Sequence, residues 1–253
     1  TNGNRVAFNR MDPASIDSND YLFINPLVMD NNQDIIYFGS NKLHRSFNKG
    51  DDWEEISKDL TSGGKKGNVP YGTITSFDES NFQFGKLIVG SDDGIVSISN
   101  DSGKTWKSVS DNLPPDLWVS RVIFSKHEKN TIYLSLNGYR YNDFKPYIYV
   151  SNDNGDSWEN ISSNLPLSPV NVIREDINRK EILYVGTDNG LFISFNSGKK
   201  WHPFESSLNR VAVHDLVIQN EKNDLLVGTH GRSIYKTNLD LFNDFMIEKN
   251  PEK

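Results

Sequence analysis

Five times along the chain a short apolar run stops at a polar turn and a second, more uniformly apolar run follows. The first runs are Ile24 to Met29, Gly72 to Phe77, Val119 to Phe124, Val170 to Arg174 and Val213 to Ile218. The second are Ile35 to Phe38, Lys86 to Val89, Thr131 to Leu134, Ile182 to Val185 and Asp224 to Val227. Their length, their β-branched and aromatic content and the Gly- or Asn-containing loops between them predict strands rather than helices. A third strand of alternating character follows in each unit, as in Ile95 to Ile98, Tyr147 to Val150 and Ser233 to Lys236. In the first four units a short fourth strand is expected at Glu54 to Ile56, Lys107 to Val109, Glu159 to Ile161 and His202 to Phe204. The fifth unit stops one strand short. Four strands per unit, recurring at roughly 40 to 55 residues, predict the blades of an all-β propeller.

The turn between third and fourth strands is the most regular feature. Its four copies hold Ser46, Asn48, Gly50 and Trp53; Ser99, Asp101, Gly103 and Trp106; Ser151, Asp153, Gly155 and Trp158; and Ser194, Asn196, Gly198 and Trp201. Asp or Asn hydrogen-bonds the backbone ahead of it, Gly takes a positive φ, and Trp returns as an apolar anchor, expected to pack between strands of its own blade. Asp101 and Asp153 sit in segments that look like calcium loops. They lack the succession of oxygen ligands and the distal Glu of such loops, so no metal is expected.

The pattern Ser-x-Asp-x-Gly-x-Thr/Ser-Trp resembles the Asp-box (BNR repeat) of sialidases, xyloglucanase-type glycosidases and the sortilin-type luminal domain, all β-propellers. The second and third copies match in full, whereas the first has Asn48 and Asp52, and the fourth Asn196 and Lys200, in place of the Asp and Thr/Ser of the pattern. The run from Trp118 through Asn142–Pro146, Pro169–Asp176 and Val185–Asp188 to Gly228–Arg232 resembles the C-terminal blades of bacterial sortilin-like, glycosyl-hydrolase-like repeat proteins. That resemblance implies five visible blades, at about 21–62, 63–114, 115–166, 167–209 and 210–240. A linker or strand of an upstream blade is expected over 1–20 and a charged tail over 241–253. It also implies that the chain is part of a larger propeller, with a five-bladed ring as the alternative, and that the protein is secreted or associated with the cell envelope.

Charge and composition narrow the partners. The net charge is −7 and no Lys/Arg cluster tracks a phosphate backbone, so nucleic acid is not an expected partner. The chain has no cysteine, hence neither disulfides nor thiolate metal sites, and no apolar run approaches the length of a membrane span. No cofactor is expected.

Propeller topology places the loops between second and third strands, with the entries to the innermost strands, on one face at the central tunnel, where ligand sites are expected. The ligand-binding candidates there are Trp118, Arg121, Tyr139, Arg140, Asp143, His214, His230 and Arg232. Asn41, Asn171 and Asn189 lie in the same set of loops. His214, Asp215, His230 and Arg232 are expected to cluster, since a turn needs neither His nor Arg. For a glycosidase, Asp92, Asp93, Asp143, Asp188 and Asp215 supply carboxylates, but no spacing marks an acid and its facing partner. Arg121, Arg140, Arg174 and Arg232 likewise show no sialidase-type triad. Asp93-Gly94, Asn137-Gly138 and Asn189-Gly190 read as hairpin turns. The favoured function is a non-catalytic propeller that binds a protein or glycan through its tunnel-side face. The alternative is a glycoside hydrolase, xyloglucanase- or sialidase-like, completed by upstream blades of the same polypeptide or by a partner chain.

Overall fold

A computed structural model describes residues 12–14, 16, 25–29, 35–63, 72–204 and 210–242. Most of the linker or strand expected over 1–20, together with Ile24 and the tail beyond 242, lies outside the described residues. Within them the strands form five antiparallel sheets, each a meander in chain order. The first sheet comprises β1 (Leu27–Met29), β2 (Ile36–Gly39), β3 (Leu43–Ser46) and β4 (Glu54–Glu55). The second has β5 (Ile74–Glu79), β6 (Leu87–Ser91), β7 (Val96–Ser99) and β8 (Lys107–Ser108). The third has β9 (Trp118–Phe124), β10 (Ile132–Asn137), β11 (Tyr147–Ser151) and β12 (Glu159–Asn160). The fourth has β13 (Val170–Glu175), β14 (Leu183–Thr187), β15 (Gly190–Ser194) and β16 (His202–Pro203). The fifth holds β17 (Val213–Gln219), β18 (Asp224–Thr229) and β19 (Ile234–Asn238), followed by a 3-10 turn over Leu239–Phe242. This is a five-bladed all-β propeller.

Both faces of β6, β10 and β14, the second strands of the three middle blades, are buried, which explains their continuous apolar character. In β6, Leu87 and Val89 face the first blade beside Ile35, Leu43 and Ile74, while Ile88 faces the third beside Val119, Val122 and Ile132. Among the described residues there are four such inter-blade cores, joining blades one to two, two to three, three to four and four to five. On the two end blades Leu27, Met29 and Ile234 are exposed. Successive blades approach closely at the glycine that ends the second-strand run. A Cβ on Gly90 would lie 2.2 Å from Val119 Cγ1 of the next blade, so this position admits no side chain.

The four Trp turns share one hydrogen-bond scheme. In the second, Ser99 Oγ accepts from Gly103 N at 2.9 Å, while Asp101 Oδ1 accepts from Ser99 Oγ at 2.9 Å and from Thr105 N at 2.9 Å. Thr105 Oγ1 donates to Asp101 Oδ2 at 2.6 Å, so this carboxylate is consumed by its own turn. The third copy repeats the scheme, and its Ser157 contacts draw the Asp153 carboxyl down to about 2.

The tryptophans correct one expectation. Trp53 meets Phe38 of its own blade edge to face at 6.1 Å, whereas the other three tie their blade to the preceding one. The indole N–H of Trp106 donates to Ile56 O at 2.9 Å, that of Trp158 to Val109 O at 2.7 Å, and that of Trp201 to Ile161 O at 2.8 Å. Each acceptor directly follows the preceding blade's fourth strand; its N–H still bonds the third strand of that blade, and its carbonyl takes the indole as donor. Asn164 adds to the last tie by bonding both Trp201 N, at 2.7 Å, and Trp201 O, at 2.8 Å. The repeated Leu60, Leu113 and Leu165 after each fourth strand are buried in the same inter-blade cores.

The innermost strands of successive blades belong to separate sheets, and polar side chains bridge them. Thr75 Oγ1 donates to Val119 O at 2.6 Å, Ser76 Oγ accepts from Val122 N at 3.1 Å, and Asp78 Oδ2 accepts from Phe124 N at 2.9 Å. Tyrosines of the second strands reach carboxylates of the next blade: Tyr37 OH to Glu79 at 3.0 Å, and Tyr133 OH to Glu175 at 3.2 Å.

Candidate functional site

A β-bulge recurs in the innermost strand of four blades. The register breaks between Ile74 and Ser76, between Val170 and Val172, between Val213 and Asp215, and opposite Ser135 and Leu136. Thr75, Ser120, Asn171 and His214 are therefore the extra residues, and a bulge re-aims its side chain relative to the pleat. Ser120, Asn171 and His214 line one cavity of about 620 Å³, with Trp118, Asn137, Tyr139, Arg140, Asp188, Ala212 and His230.

Blades three, four and five meet in this cavity through a chain of amides. Asn137 Nδ2 donates to Asn171 Oδ1 at 2.9 Å, and Asn171 Nδ2 donates to Asp188 Oδ1 at 2.9 Å and to Val213 O at 3.2 Å. The rim is the β10–β11 connection. Asn137-Gly138 does not make the expected hairpin turn. Gly138 has φ −96° and opens a 3-10 turn over Tyr139–Tyr141, which Asn142 closes in the left-handed region with its N–H on Tyr139 O. The Arg140 guanidinium lies 4.1 Å from the Trp118 ring centroid, a cation–π arrangement. Tyr139 and Phe144 meet edge to face at 5.9 Å, and both are exposed. Asp143 braces the base of this connection. It accepts from Tyr147 OH at 2.6 Å and from Lys145 N at 3.1 Å, contacts that hold its carboxyl below the ordinary range.

Of the residues singled out in the sequence, Trp118, Tyr139, Arg140, His214 and His230 line the cavity. Arg121 does not. Its guanidinium donates to Asp215 Oδ1 at 2.7 Å, and Arg174 reaches the same oxygen at 3.3 Å. Burial, and next the Arg121 charge, pull the Arg174 guanidinium down to about 10. Asp215 thus leaves the expected histidine cluster, because the bulge at His214 puts neighbouring side chains on different bearings. The Thr229 and Ser233 turn brings His230 to within 5.3 Å of His214 between ring centroids, while Arg232 is exposed on the same turn and outside the cavity lining.

The remaining carboxylates are engaged locally. Asp92 is buried and accepts from Thr73 N at 2.8 Å, whereas Asp93 accepts from Ser62 N at 2.7 Å and from Ser91 Oγ. Asn41 donates to Asp59 at 3.1 Å. Asp188 and Asn189 are the two turn residues between β14 and β15, with Gly190 beginning the strand at φ 118° rather than completing the turn. Ser120 was not evident from the sequence, since nothing local marks a bulge. Among the described residues no helix is long and apolar enough to cross a membrane, and no group of three or more His, Asp or Glu is arranged around a metal.

Fold and site together define a propeller with an amide-lined, aromatic-rimmed cavity between blades three, four and five. The Sortilin-Vps10 family model, described as "Sortilin, neurotensin receptor 3", matches residues 146–244, which span the third strand of blade three to the end of blade five. Over 99 residues the chain is 31% identical to the vacuolar protein sorting/targeting protein PEP1 of Saccharomyces cerevisiae (strain RM11-1a), a stretch that covers 39% of this chain and 5% of the yeast protein. Among solved structures, the GH74 enzyme of Niastella koreensis superposes with a TM-score of 0.64 at 17% identity, covering 84% of this chain and 36% of that one. A chain of the Nidogen/Laminin complex does so at 0.60 and 12% identity, covering 85% and 75%. At such identities the structural likenesses speak for the fold alone. The sortilin-like region carries the cavity's Asn171, Asp188, His214 and His230.

Proposed function

We propose that this chain is a non-catalytic, sortilin-like binding propeller that holds a segment of a protein partner in the cavity between blades three, four and five. The observation that carries the reading is the cavity's build. Its polar wall is fixed in advance by the Asn137–Asn171–Asp188 chain, and its rim exposes Tyr139 and Phe144 for contact. Pre-set polar groups beside exposed aromatic anchors favour binding, because little ordering is left to be done when the partner arrives. The glycosidase reading draws less support. Asp92, Asp93, Asp143 and Asp215 are each held by hydrogen bonds or ion pairs, and Asp188 Oδ1 accepts from Asn171 Nδ2. The match to a vacuolar sorting protein supports a lumenal, secreted or envelope-side location. The exposed Leu27, Met29 and Ile234 on the end blades suit further blades of a larger propeller.

Panning a phage-displayed random-peptide library against the chain, with a glycan array in parallel, tests the reading. A selected peptide should lose about tenfold or more in affinity to the Tyr139→Ala variant, whose exposed position spares the fold. Peptides that bind Tyr139→Ala and Asn171→Ala as tightly as wild type would move the site elsewhere. Release of reducing sugar from xyloglucan by the wild-type chain would overturn the non-catalytic reading outright.

A further inference from the structure

The histidine pair in the cavity is not explained by peptide binding. His44 shares a hydrogen bond with Ser40 Oγ at 3.1 Å, and His127 bonds Asp176 O at 2.7 Å. Neither imidazole of His214 and His230 makes a hydrogen bond within the described protein, and both residues are exposed. Their placement is nevertheless fixed from two directions. His214 is the bulge residue of β17, and His230 is held opposite it by His230 N donating to Ala212 O at 2.9 Å. The ring centroids are 5.3 Å apart with the planes at 50°.

We propose that His214 and His230 form a two-histidine site for a borderline divalent transition ion of the zinc or nickel kind. Two imidazoles bound to one tetrahedral ion at about 2.0–2.1 Å place their ring centroids roughly 5 Å apart, and the observed separation of 5.3 Å is of that size. Neutral imidazole suits these ions. No third His, Asp or Glu of the described residues completes a cage, so the other coordination positions belong to water or to a donor on a bound partner. Such an ion is exchangeable, and it would turn the cavity wall beside Asn171 and Asp188 into a Lewis-acidic surface for a ligand's carboxylate or imidazole.

The site is read with metal alone, so its failure would leave the proposed peptide site standing. Zn2+ titrated calorimetrically into tag-free protein should bind as one equivalent. His214→Ala and His230→Ala should each weaken binding by at least about tenfold, since losing a ligand costs no less than losing a group that orients one. His202→Ala should match wild type. Independently of any variant's folding, Ni2+ added to wild-type protein should broaden the imidazole C–H signals of two of the five histidines. Absence of saturable Zn2+ binding, binding that survives both alanine variants, or broadening of histidines other than this pair overturns the proposal.

Discussion

Trp201 is 2% exposed and ties blade four to blade three through its indole N–H on Ile161 O at 2.8 Å. Replacing it separates two contributions. In Trp201→Phe most of the ring burial is kept, but the Ile161 carbonyl loses its donor. A buried acceptor stranded in this way costs about 1–3 kcal/mol. In Trp201→Ala the packing goes as well, and large-to-small truncation of a buried Trp costs about 3–5 kcal/mol, with the stranded carbonyl setting the value near the top of that range. Urea unfolding followed by far-UV circular dichroism reads both without relying on the deleted fluorophore. Because stacked repeats need not unfold in one step, the midpoint and the slope are both informative. A midpoint shift in Trp201→Phe with a shallower slope would mean that blades three and four have come apart as units. If Trp201→Phe unfolds at the wild-type midpoint, the indole hydrogen bond does not couple the blades, and inter-blade coupling no longer accounts for the recurrence of this Trp from blade to blade.

Three other perturbations follow from the same packing. Gly90→Ala drives a Cβ to 2.2 Å from Val119 and should lose about 1–3 kcal/mol, whereas Gly228→Ala, where the nearest atom lies at 3.5 Å, should change stability by a few tenths of a kcal/mol; equal midpoints for the two would refute the close blade contact. Burial raises the Glu175 carboxyl above its ordinary range despite its contacts with Lys126 N, Ser125 and Tyr133. The native state therefore holds this proton more tightly than the unfolded chain. Stability relative to Glu175→Gln should fall as pH rises from the ordinary Glu range through the raised native value, and parallel pH–stability curves for the two proteins would contradict this. Since Asp101 and Asp153 spend their oxygens on Thr105, Ser99, Ser157 and Ser151, EGTA should leave the melting temperature unchanged; a drop restored by calcium would show that these turns hold an ion.

Much of the fold was legible because its signals are local. Ser, Asp, Gly and Trp at fixed offsets dictate a turn wherever they occur, and a run such as Leu183 to Val185 has few options besides a strand buried on both faces. What was not legible is relational. Nothing near Trp158 says that its indole will meet Val109 O, because that partner lies 49 residues away. The Asn112-Leu113-Pro114 and Asn164-Leu165-Pro166 repeats do carry a readable signal of this junction, through the buried leucines. The site was half visible. Unusual residues in loops pointed to Trp118, Tyr139, Arg140, His214 and His230, but Arg121 and Asp215 proved to be partners of each other across blades three and five. Asn137-Gly138 misled because a dipeptide favoured in hairpins also opens a 3-10 turn when the loop behind it is long enough to close on Asp143.

The recurring bulge has an implication for how such a chain diversifies. Thr75, Ser120, Asn171 and His214 occupy one structural coordinate repeated from blade to blade, outside the regular ladder yet fixed by it. At Ser120, Asn171 and His214 a substitution alters the wall of the cavity and leaves the apolar inter-blade cores alone, whereas at Thr75 it removes the bond to Val119 O. One position per blade thus varies the cavity wall without rebuilding the sheet, and in blades three, four and five it presents hydroxyl, amide and imidazole.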